Sequence, residues 1–103
     1  WLFVVIVKFK ISDSIDNDGI KEKFKETAPM YQETKGLIRK NYLFNENKNI
    51  AGGVYIFDNS KNAYAWFDES RIQWLTDRYS EPEISYFDSP VEVNNDSNKI
   101  YIK

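Results

Sequence analysis

Arg39, Asn41 and Tyr55 carry a guanidinium, an amide and a phenol, the combination that can hold a planar oxygenated molecule and stabilise its anion. Their spacing matters because Leu37–Asn45 and Ala51–Asp58 read as two strands, joined by a polar turn over Asn45–Asn49. Antiparallel partners keep a constant sum of positions, so a hairpin centred near Lys48 pairs Asn41 with Tyr55, Arg39 with Phe57 and Leu43 with Gly53. That register predicts Arg39, Asn41, Tyr55 and Phe57 on one face. Ile38, Lys40, Tyr42 and Phe44 fall on the other, opposite Gly52, Val54 and Ile56. A slip of one residue would mix the two sets. Two competing readings stay open: aromatic side chains on a helical stripe ordinarily belong to a core, and Arg39 could instead pair with an acid at an interface.

Other chemistry is excluded by what is missing. The chain has no Cys and no His, which removes disulfides, thiolate nucleophiles, the usual general base near neutral pH and the commonest metal and haem ligands. No cofactor and no metal are expected. Gly52 and Gly53 form neither a dinucleotide nor a phosphate-loop pattern; they either admit a ligand close to the backbone or, the preferred reading, form a bulge at a strand start. The acidic run Asp13–Asp18 lacks calcium-loop spacing and reads as a solvated turn. Asp68 and Glu69 are neighbours on a predicted helix and point apart, so they make no acid pair. Lys and Arg total 14 against 16 Asp and Glu, a balance without the basic footprint of a nucleic-acid binder.

These residues need elements to hold them. The run 1–11 is a strand, apolar on both faces early and on one face late. It is too short to span a bilayer and lacks the basic leader and small-residue cleavage site of a signal peptide, so a cytoplasmic protein without membrane partners is expected. Helix one is expected from about Gly19 toward Thr34, with Ile20, Phe24, Ala28 and Tyr31 on one stripe and a kink or restart at Pro29. Asn59 or Ser60 caps a second helix through about Arg78, with Ala63, Trp66, Phe67, Ser70, Trp74 and Leu75 as its stripe. After Pro82 come a strand at Glu83–Asp88, an extended stretch at Val91–Val93, a turn at Asn94–Asn98 and a short last strand at Lys99–Lys103.

With 103 residues there is room for one domain, 1–103. The order strand, helix, strand, strand, helix, strand is the ferredoxin-like βαββαβ plan: an α+β antiparallel sheet with both helices on one face and, here, a short extra C-terminal strand. Neither face of Leu37–Asn45 is cleanly polar. The uncovered side of the sheet therefore needs a partner, and a face-to-face homodimer supplies one.

Several stretches in order, TAPMY at Thr27–Tyr31, GLIRK at Gly36–Lys40, AGGVYIF at Ala51–Phe57, PEISYF at Pro82–Phe87 and SPVEVNN at Ser89–Asn95, resemble the YdhR-type monooxygenases. That family lies in the dimeric α+β barrel superfamily, beside the antibiotic-biosynthesis monooxygenases. The resemblance implies a barrel made of two sheets and a ligand cavity between each sheet and its own helices. It also implies cofactor-independent oxidation of an aromatic or polyketide-like small molecule. In that cavity Arg39, Asn41, Tyr55 and Phe57 would form one wall, with Tyr31, Trp66 and Trp74 opposite. Two departures stand out. Asn41 occupies a position where an aromatic residue is commoner, and Ser70 stands near where a helix-two His is often found, so haem degradation is disfavoured. The alternative is a dimeric barrel that binds a small apolar molecule, or serves in stress, without turning anything over.

Overall fold

A computed structural model describes residues 2–103. Trp1, expected in the first strand, lies outside them. The elements run β1 (Leu2–Lys10), α1 (Asn17–Gln32), β2 (Leu37–Asn45), β3 (Ile50–Phe57), α2 (Ser60–Trp66), α3 (Glu69–Arg78), β4 (Glu83–Ser89), β5 (Val91–Asn94) and β6 (Lys99–Ile102). The first four strands in space are ordered β2-β3-β1-β4 and all pair antiparallel, which is the ferredoxin-like arrangement. The run read as an apolar first strand is the centre of that sheet.

β1 shows why the core sits where it does. Phe3, Val5, Val7 and Phe9 are buried, while Leu2, Val4 and Ile6, pointing to the opposite face, are only half covered. The period of two in a pleated strand sends alternate side chains to opposite faces. The buried set packs with Ile20 and Tyr31 of α1, Ala63 of α2, Phe67 just after it and Leu75 of α3. No helix among the described residues is long and apolar enough to cross a membrane.

Four local expectations need correction. α1 does not restart at Pro29 but stays helical from Asn17 to Gln32: Pro29 and Lys25 are both exposed, so the missing hydrogen bond lies on the solvent side and the helix continues. The second helix is two. Asp68 is not inside a helix but caps α3, its carboxylate accepting from the Arg71 N–H at 2.8 Å, while Phe67 leaves helical geometry and enters the core. The bulge is not at Gly52–Gly53, where both pairings are regular. It lies between Leu37 and Arg39, and Ile38 is left exposed there. The last strand is present as expected and pairs within its own chain: β5 and β6 form a hairpin with Val91 opposite Ile102 and Val93 opposite Ile100.

The fourth correction reaches the candidate site. Beyond the bulge, β2 and β3 pair Lys40 with Tyr55, Asn41 with Val54 and Tyr42 with Gly53, one residue away from the expected register. The turn is a short 3-10 segment, Glu46–Lys48, followed by Asn49 at φ 52, a left-handed position that Asn tolerates. That loop leaves an even number of residues between Asn45 and its partner Ile50. The expected centre on a single residue needed an odd one. The faces of β2 are thereby exchanged: Lys40 and Tyr42, not Arg39 and Asn41, share the helix-facing side with Tyr55 and Phe57.

Candidate active site

The exchanged register carries the amine of Lys40 under α1. Its Nζ lies 3.4 Å from the ring centre of Tyr31, 3.8 Å from that of Tyr42 and 4.5 Å from that of Tyr55. Gly53 makes the room: a Cβ there would stand 2.9 Å from Lys40 Cε and 3.1 Å from the Tyr55 ring. No carboxylate among the described residues pairs with Lys40, and no hydrogen bond reaches its Nζ. The ring faces favour an ammonium there, but burial opposes it more strongly and pushes the Lys40 amine down to about 6.

The phenols around it move the other way. Burial raises Tyr31 to about 12 and Tyr55 well above its ordinary value, and it raises Tyr42 as well. At neutral pH the site is therefore an uncharged amine among uncharged phenols. The hydroxyls are tied together, Tyr31 to Tyr55 at 3.4 Å and Tyr42 to Thr27 Oγ1 at 2.7 Å. These bonds fix the phenols that surround the amine.

Open space lies at the sheet edge. A cleft of about 390 Å³ between α1 and β2 is lined by Ala28, Tyr31, Gln32, Leu37, Ile38, Arg39, Lys40 and Tyr42. Behind it the interior is closed. The space that Tyr31, Lys40 and Tyr42 share with Phe24, Thr27, Tyr55 and Trp74 has about 10 Å³ left, at the lower limit for a single water. Lys40, Tyr31 and Tyr42 thus form the wall between a solvent-filled cleft and a packed interior.

Of the seven residues expected to form the site, Tyr31, Tyr55, Phe57 and Trp66 touch one another in a chain and Trp74 borders the same closed space as Tyr31 and Tyr55, while Arg39 and Asn41 stand on the other face of the sheet. Tyr31 and Arg39 line the cleft, and Tyr55 lies beneath Lys40. Phe57 is fully buried in the core. Asn41 sits opposite Val54 on the exposed side of the sheet, and Arg39 opposite Ile56 reaches the cleft only because β2 is an edge strand. Trp66 packs edge-on against Tyr31, with the Arg71 guanidinium 3.9 Å over its ring and its own Nε1 buried without a partner. Trp74 contributes to the closed interior. Lys40 was placed on the wrong face by the expected hairpin. Counting outward from a four-residue loop, with Asn49 as its left-handed member, would have found it.

The model of the family described as "Putative mono-oxygenase ydhR" matches residues 4–91. The chain belongs to the YdhR family. Solved structures agree on the fold at low sequence identity. A cofactor-independent oxygenase from Streptomyces nogalater, SnoaB, superposes with a TM-score of 0.62 at 14% identity, covering 85% of this chain and 92% of that one. A "putative antibiotic biosynthesis monooxygenase" from Nitrosomonas europaea gives 0.63 at 13%, covering 85% and 89%. A protein of unknown function from the same organism gives 0.65 at 11%, covering 84% and 86%. No curated protein matches this YdhR-family chain by sequence. The expected family and the expected α+β plan with a short extra C-terminal strand both stand, and that strand is one of a pair.

Proposed function

We propose that this YdhR-family protein is a cytoplasmic, homodimeric, cofactor-independent monooxygenase for an aromatic or polyketide-like phenol or anthrone, with Lys40 as its base. Membership of the family and the likeness to an oxygenase that needs no cofactor support the reaction class. The observation that carries the reading is the Lys40 amine, unpaired with any carboxylate and standing at the wall of a cleft. It supplies the base that a chain without His otherwise lacks.

A planar substrate lies in the cleft against Tyr31 and Tyr42, and the neutral amine takes its acidic proton. The ammonium that forms is held by the three ring faces and stabilises the anion beside it. The anion passes one electron to dioxygen. Radical and superoxide combine to a peroxide, which loses water, so that a ring CH2 and O2 become C=O and H2O. The protein binds, orients and moves one proton.

Oxygen uptake with a panel of naphthols and anthrones tests this. Wild type turns over, with a rate that rises as pH passes about 6. Lys40→Met loses about 100-fold or more, the usual worth of a positioned base. The titratable and charged groups around the amine are Tyr31 from α1, Tyr42 and the cleft residue Arg39 from β2, and Tyr55 from β3; the three tyrosines stay protonated through this range. A packed interior also suits a protein that only binds in the cleft. A ligand that raises the Tm yet is recovered unchanged, with no oxygen consumed, favours that second reading.

A further inference from the structure

We infer that Lys40 is a nucleophilic amine that captures aromatic aldehydes from the α1–β2 cleft as an imine. This goes beyond proton transfer and does not depend on the oxygenase reading.

Three features of the geometry support it. Lys40 lines both the 390 Å³ cleft and the closed space behind it, so its Nζ borders a volume that a small aryl aldehyde can occupy. The groups packed on the amine are the Tyr31, Tyr42 and Tyr55 rings, and no acid among the described residues draws it into an ion pair. Gly53 leaves the side chain its path, because the Cβ of any other residue would crowd Cε.

The cleft also selects. Ala28, Leu37 and Ile38 offer an apolar wall and Tyr31 and Tyr42 an aromatic one, against which an aryl ring stacks.

The step balances without an oxidant. The amine lone pair forms a C–N bond to the carbonyl carbon as the C=O π electrons take a proton, giving a carbinolamine. Nitrogen then loses a proton, hydroxide leaves with one as water, and C=N remains: amine plus aldehyde gives imine plus H2O. Surface lysines are almost wholly ammonium at pH 7, and an ammonium has no lone pair to give. Lys40, pushed down by burial, has one.

The test is reductive trapping on the whole chain. With 4-carboxybenzaldehyde and cyanoborohydride at pH 7, peptide mass spectrometry is expected to find Lys40 labelled at least ~10-fold faster than Lys8, Lys48 or Lys61, as follows from the larger neutral fraction. Its labelling stays nearly flat from pH 7 to 9, whereas that of surface lysines rises roughly tenfold per pH unit. Labelling spread evenly over the lysines, or a Lys40 profile that climbs with pH like theirs, overturns the inference. Oxygen uptake is read separately: if it is absent while Lys40 is trapped, only the oxygenase reading fails, and if it persists in wild type while Lys40 resists trapping, only the imine fails.

Discussion

Lys40 is a destabilising residue at neutral pH, and the sign follows from proton counting. In the unfolded chain its amine holds a proton up to about 10.5, and in the folded protein only up to about 6. Between those values the unfolded state binds more protons, so stability rises with pH across that window and falls as pH drops toward 6. Tyr31 and Tyr55 act in the opposite sense at the alkaline end. Their folded values lie above the ordinary 10, so above that pH the unfolded chain sheds protons that the folded one keeps, and stability falls. Lys40→Met keeps the aliphatic filling beside Gly53 and removes the amine. It is expected to stabilise the fold at pH 7 by on the order of 3 kcal/mol, less whatever the ring faces return, and to give almost no gain near pH 10.5. Thermal melts at the two pH values check this. Equal effects at both would show that the Lys40 amine is not desolvated.

At the scale of elements, the glycine pair of β3 divides its labour. Gly53 faces the helices and admits Lys40, while Gly52 lies against β1, where a Cβ would fall 1.8 Å from the Val7 carbonyl oxygen. Gly52→Ala must therefore push two central strands apart, and it is expected to cost more than about 2 kcal/mol, read as a lower denaturation midpoint, or to prevent folding. Asp68→Ala is milder. It loses one cap on α3, about 1 kcal/mol, and leaves the sheet intact. The elements themselves were legible because their signals are local: alternation in β1, the stripe of α1, the Pro82 stop. What was not legible depended on one residue of loop length. The turn at Glu46–Asn49 decides whether Asn41 or Lys40 faces Tyr55, and hydrophobicity gives no help because β2 carries apolar side chains on both faces. The split at Phe67–Asp68 was hidden for a similar reason: the apolar stripe continues across it, and only the cap geometry marks the restart.

For the whole molecule the open question is what covers the second face of the sheet. Val4, Ile6, Val54 and Ile56 are half covered there, and Phe87 opposite Val4 is 51% exposed. Four strands about 4.8 Å apart and some seven residues long make a footprint of roughly 19 by 23 Å. That falls short of the ~800 Å² per partner of a standard interface. The β5–β6 hairpin offers more of the same surface, since Val91, Val93, Ile100 and Ile102 share one face and are 56–77% exposed. A second copy that meets both the sheet face and the hairpin buries enough apolar area for a stable dimer, and we expect one by sedimentation equilibrium. Ile6→Lys, in the middle of the sheet face, is expected to yield a monomer with unchanged far-UV circular dichroism. Val93→Glu is expected to weaken association about tenfold or more without unfolding the four-stranded sheet, to which the hairpin adds no strand. A wild-type chain that sediments as a monomer at high concentration would remove the barrel. Dimerisation untouched by Val93→Glu would confine the interface to the sheet and leave the hairpin's apolar face to another partner.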